Sequence, residues 1–122
     1  MGAWRVYSTR GAAIQISFRD SALERAYRAR QEGLRRFGDS SRLFQRRIKQ
    51  LEAAPNLAAV AGWPTLCQPL PNSDGHLSAQ LWDAHRLIFV ADHQPLPQLP
   101  DGSLDRRRVT RIEIWTVEED HG

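Results

Sequence analysis

The chain has 122 residues, 41% hydrophobic and 25% charged, which fits one globular domain with a real core and excludes a disordered tail or a fibrous repeat. No apolar run approaches the roughly 18 residues of a membrane span, and the N-terminus lacks the apolar core of a signal peptide. A single cysteine, Cys67, permits no internal disulfide and points to a reducing, cytoplasmic compartment. The net charge of +3 conceals an asymmetry. Residues 1–50 hold 12 basic and 4 acidic side chains, and residues 51–122 hold 5 and 10. Of the 17 basic residues 16 are arginine, a composition suited to phosphate on one side of the molecule.

In chain order, residues 1–12 show no period and read as an N-terminal extension to a domain spanning 13–122. Ala13–Phe18 alternates, with Ile14, Ile16 and Phe18 on one side, and predicts a strand. Asp20 or Ser21 caps a helix that runs to Phe37, placing Leu23, Ala26, Tyr27, Leu34 and Phe37 on one face and Arg25, Arg28, Arg35 and Arg36 on the other. Gly38 terminates it. A second helix from Asp39 or Ser40 places Leu43, Phe44, Ile48 and Leu51 on one arc, with Arg42, Arg46 and Lys49 opposite, and closes at Pro55. Arg30 and Arg47 fall inside the apolar arcs. Each either snorkels or meets a carboxylate of the acidic half, or else reaches through to a site.

Beyond a helical turn at Asn56–Ala61 the period changes to two. Thr65–Leu70 is a short strand candidate that makes Cys67 a core residue. Leu77, Ala79 and Leu81 alternate, Trp82-Asp83-Ala84 makes a tight turn, and Arg86–Val90 is a dense apolar strand. Residues 92–108 form a long proline-containing loop, followed by an alternating Val109–Glu118 with Ile112 and Ile114 on one face. The order predicts an α+β domain: a strand, two helices and an antiparallel sheet.

Chemistry is sparse. The four histidines, His76, His85, His93 and His121, are widely spaced, and no metal-ligand motif, phosphate loop or nucleophile elbow is present, so no metal or cofactor is expected. His121, next to last, is either a solvated tail residue or a general acid or base with a pKa near neutrality. The Arg106, Arg107, Arg108 run is either a solvated loop tip or a phosphate contact.

Taken together, AIQISFRDSALERAY, FGDSSRLFQRRIKQLEAAPNL, GHLSAQLWDAHRLIFVAD, the DGSLD loop and VTRIEIWTVEEDHG resemble the HigB branch of the RelE/ParE-like toxins of bacterial type II toxin–antitoxin pairs. The resemblance covers about residues 13–122, and its most specific parts are RLIF at 86–89 and the terminal VTxIxI…E-x-x-H-G. It implies a RelE-like fold with two N-terminal helices on a twisted antiparallel sheet, and a metal-independent, ribosome-dependent mRNA endonuclease. Attack of a ribose 2′-OH on the adjacent phosphate explains a requirement for RNA.

Carried over by position, the resemblance makes Arg86 a phosphate clamp, His121 the acid/base group and Glu119 its acidic neighbour. It makes Arg25, Arg28, Arg35, Arg36, Arg42, Arg46, Lys49 and Arg106–Arg108 candidates for RNA or ribosome contact. It further implies a cognate helix-turn-helix, HigA-like antitoxin, through which the pair meets operator DNA. The chain departs from the family at Asp120, where relatives carry an aromatic residue, and at Gln68, where they carry a histidine. No lysine or arginine lies between Lys49 and Arg86, and His76 is an auxiliary candidate for the missing function. These departures keep two alternatives open: a weakened or inactive toxin-like module retained for antitoxin binding and operon autoregulation, and a ParE-like gyrase inhibitor.

Overall fold

A computed structural model describes residues 14–71, 73 and 75–119. The extension assigned to residues 1–12, together with Asp120 and His121, lies outside the described residues. The chain is α+β. In order it forms strand β1 (Gln15–Phe18), helices α1 (Ser21–Arg28), α2 (Arg30–Phe37) and α3 (Ser41–Ala53), then strands β2 (Gln68–Pro69), β3 (Leu77–Gln80), β4 (His85–Ala91) and β5 (Arg111–Glu119). The sheet order is β1-β5-β4-β3-β2.

The antiparallel sheet expected from the strand order is corrected to a mixed one. β2, β3, β4 and β5 pair antiparallel, but β1 pairs parallel with β5, Ile16 opposite Ile112. A parallel pair cannot be closed by a tight hairpin. The helices and the three-stranded meander supply the long connection between β1 and β5. The Thr65–Leu70 strand shrinks to Gln68–Pro69, since Thr65 and Leu66 belong to turns and Leu66 N–H and Cys67 N–H both donate to the Trp63 carbonyl. Cys67 is buried in the core, and burial pushes its thiol up.

The continuous helix expected over residues 21–37 is also corrected. Asp20 caps α1, its carboxylate accepting from the backbone N–H groups of Ala22 and Leu23 at 2.8 and 3.4 Å. The helix breaks at Ala29, which is extended (φ −113°, ψ 117°), and α2 restarts at a new angle. Gly33 explains how the two segments fit. It is buried, and a Cβ there would lie 2.6 Å from the Ala26 carbonyl oxygen. The break also resets the helical phase. Leu34, assigned to the core by an unbroken wheel, is 41% exposed, and Arg30 is exposed as well.

Phe37 still packs, with ring centroids 4.8 Å from Phe44 and 5.2 Å from Trp82. Gly38 ends α2 with a positive φ of 59°, which glycine adopts without a Cβ clash. α3 follows its expected face, burying Phe44, Ile48 and Leu51. It ends as Ala54 turns extended before Pro55, the conformation a following proline favours. Among the described residues Arg47 meets no carboxylate. Its Nε donates to the Gln80 carbonyl at 2.7 Å, tying α3 to β3.

The core lies between the helices and one face of the sheet. Ile14, Leu23, Phe44, Ile48, Leu51, Leu57, Leu87, Phe89, Ile112 and Ile114 are all fully buried there. The 92–108 loop is pinned by a bridge between Gln98 and Leu104 and by a 3-10 turn at Arg106–Arg108. Among the described residues, no helix is long and apolar enough to cross a membrane.

Candidate functional site

With Leu87 and Phe89 buried in the core, the strand period of two turns Arg86, Ile88 and Val90 to the helix-free face. Pairing then assembles polar groups beside Arg86. Gln80 stands opposite Arg86 and Ser78 opposite Ile88 on β3, and Gln68 stands opposite Ser78 on β2. A cleft of about 240 Å³ is lined by Gln68, Ser78, Gln80, Asp83, Ala84, His85 and Arg86. The Ser78 hydroxyl, nearly buried, donates to the Gln68 carbonyl at 3.4 Å.

On the other flank of β4, β5 contains a bulge. The register steps from Ile88–Thr116 to Phe89–Ile114, leaving Trp115 as the extra residue. Ile112 and Ile114 face the core, so strict alternation would send Thr116 and Glu118 inward and Glu119 outward. The bulge reverses that parity. Val117 packs toward the core opposite Leu87, and Glu118 comes out opposite Arg86. Arg86 donates to Glu118 Oε1 from Nε at 3.2 Å and from Nη2 at 2.9 Å. Arg86 is thus held by Glu118, whereas Glu119, the acidic candidate beside His121, pairs in register with His85 and takes the opposite parity to Glu118.

Trp115, next after the core-facing Ile114, points to the helix-free face by ordinary alternation. Its Nε1 donates to Glu113 at 2.8 Å, the Arg19 guanidinium lies 4.0 Å over its ring, and His76 meets it edge-to-face at 4.4 Å. The His76 Nδ1 is hydrogen-bonded to the Ser73 hydroxyl. Of the two described auxiliary candidates, Gln68 therefore shares the Arg86 cleft, whereas His76 belongs to the Trp115 cluster. Asp120 and His121 lie outside the described residues.

His85 is the cleft residue that sequence reasoning passed over. It stacks on Trp82 at 5.2 Å, lines the cleft wall, and has a buried Nδ1 with no hydrogen-bond partner among the described residues. Its position next to Arg86, at the start of a strand just after a tight turn, was the available signal. There a side chain of inward parity still reaches the sheet's end.

The basic helical residues lie on the helical layer, away from this face. Arg28 pairs with Glu24 at 2.8 Å and Arg35 with Glu32 at 2.7 Å, both exposed, while Arg25 and Arg36 are exposed beside them. Arg42, Arg46 and Lys49 line a groove between α2 and α3. In the 3-10 turn Arg106 is half-buried, Arg107 and Arg108 are exposed, and Arg108 meets Asp105 at 3.4 Å. Among the described residues, no group of three or more His, Cys, Asp or Glu side chains converges as metal ligands would.

Compared with known protein families, curated proteins and solved structures, the chain gives no match.

Proposed function

We propose that the chain is the toxin of a type II toxin–antitoxin pair, a metal-independent, ribosome-dependent mRNA endonuclease of RelE-like fold neutralised by a HigA-like antitoxin. The observation that carries this reading is Arg86, which sits with Gln68, Ser78 and Gln80 in one cleft on the helix-free face of a sheet braced by helices on its other side. A guanidinium flanked by amide donors suits a scissile phosphate, and Gln80 stands directly opposite Arg86 on the paired strand β3. His121 enters as the acid/base group through the resemblance, and Arg25, Arg36 and Arg106–Arg108 as contacts to rRNA phosphate.

One observation favours a second reading, a toxin-like module that binds its antitoxin but cleaves poorly. Glu118 engages the guanidinium on which the clamp depends, and among the described residues lining the cleft Arg86 is the one permanent cation. Overexpression with and without the adjacent reading frame, with primer extension on cellular mRNA, separates the readings. The nuclease gives growth arrest and codon-spaced transcript ends that Arg86→Ala and His121→Ala abolish. A binding module leaves growth and transcripts unchanged, and a gyrase inhibitor gives DNA breaks without transcript cuts.

A further inference from the structure

The groove between α2 and α3 has a composition that phosphate docking does not explain. It encloses about 730 Å³ and is lined by Arg30, Leu34, Arg42, Arg46, Lys49 and Ala53, among others. Among the described residues no carboxylate lines it, and the ion pairs formed between described residues engage none of its four cations. Its surface is largely carbon, from Leu34, Ala53 and the aliphatic stems of the basic and amide side chains, and Leu34 is 41% exposed because the break at Ala29 turns it out of the core. Among the described residues no aromatic side chain lines it.

Single-stranded RNA grooves combine cations with aromatic platforms on which bases stack. A largely apolar surface carrying four cations instead matches a helix with one apolar stripe flanked by carboxylates. Along α3 from Ser41 to Ala53 the groove runs about 18 Å at 1.5 Å per residue, enough for three turns of a docked helix. The chain's own sequence before Ile14 carries Arg5 and Arg10 and no acidic residue, so its charge is wrong for this role.

We infer that the α2–α3 groove is a docking site for an acidic amphipathic helix of a partner protein, with Leu34 contacting the helix's apolar stripe and Arg30, Arg42, Arg46 and Lys49 its flanking carboxylates. This moves Arg42, Arg46 and Lys49 from RNA contact to protein contact, and it does not rest on the nuclease reading.

The test uses the full 122-residue chain and three fluorescent probes. The first is a peptide of about 14 residues with leucines at i, i+3, i+4 and i+7 and glutamates on both flanks. The second is the same composition scrambled to remove the stripe, and the third is an oligouridylate of similar charge. The groove binds the first probe at least about tenfold more tightly than the second, and Leu34→Asp removes that preference. The Arg42→Gln/Arg46→Gln variant weakens the first probe by a similar factor while keeping the wild-type circular dichroism. Equal binding of the two peptides, absence of peptide binding, or tight oligouridylate binding lost in the double variant but kept by Leu34→Asp would each overturn the proposal. The last of these makes the groove an RNA surface.

Discussion

Arg86 and Glu118 face each other across β4 and β5, and the guanidinium spends two of its donors, Nε and Nη2, on one carboxylate oxygen. The pair exists because Trp115 is an extra residue in β5. Without that bulge, the register of Phe89 with Ile114 would continue, Val117 would stand opposite Arg86 and Glu118 would point to the core side. An anion entering the cleft must compete with Glu118 for the guanidinium. On the proposed reading of Arg86 as a clamp, the pair acts as a brake on it.

Glu118→Gln removes the competing charge. It raises affinity for inorganic phosphate or a short RNA several-fold, measured by titration at low salt, where exposed charges are least screened. The fold loses little, because a partly exposed ion pair contributes at most about 1 kcal/mol. Unchanged or weaker anion affinity in this variant would mean that Arg86 does not serve as the anion's anchor.

The turn between α1 and α2 depends on the missing side chain at residue 33. Gly33→Ala drives a Cβ toward the Ala26 carbonyl oxygen and costs about 1–3 kcal/mol in chemical denaturation. In an unbroken helix the same change would stabilise by about 1 kcal/mol, through the better helix propensity of alanine. The sign of the effect decides between the two geometries.

Two leucines that share one face of an ideal wheel separate at the break. Leu23, fully buried, loses about 2–5 kcal/mol on substitution by alanine, whereas Leu34→Ala changes stability by no more than about 0.5 kcal/mol. Comparable losses in urea melts of the two variants would place Leu34 back in the core.

These positions mark how far the sequence could be read. Element types were legible wherever hydrophobic period and end signals agreed. The strand before Asp20, the α3 face of Phe44, Ile48 and Leu51, and the turn after Leu81 all follow from local rules. The break at Ala29 was not legible, because alanine is a good helix former and the cause is the tertiary approach of Gly33 to Ala26. The bulge at Trp115 was equally hidden. A period-two reading has no way to mark one extra residue, and it is this residue that puts Glu118 in place of Val117 opposite Arg86. Arg86 itself was legible as the charged residue opening an apolar strand. Its partners Ser78 and Gln80 come from pairing register, which turn geometry sets.

His93 gives the fold a pH dependence of known sign. Its Nε2 accepts from the backbone N–H groups of Thr110 and Arg111 at 3.0 and 3.2 Å, which requires the neutral ring. Burial, and then the Arg111 charge, hold its pKa below the ordinary 6.5, with Asp92 opposing. The unfolded chain therefore binds the proton first. The stabilisation is complete above the ordinary pKa and is lost as pH falls from it toward the lowered folded value. His93→Gln, which cannot take up a proton, reduces the slope of stability between about pH 7 and pH 5. An unchanged slope would assign the dependence to other groups.

The central claim, that the Arg86 face cuts mRNA, is tested most directly by mapping transcript ends in cells expressing the wild-type chain and Arg86→Ala at matched levels. The account predicts new ends at codon spacing within translated regions for the wild type. For Arg86→Ala, a variant that keeps the wild-type melting behaviour, it predicts none. Identical transcript ends from the two proteins would contradict it.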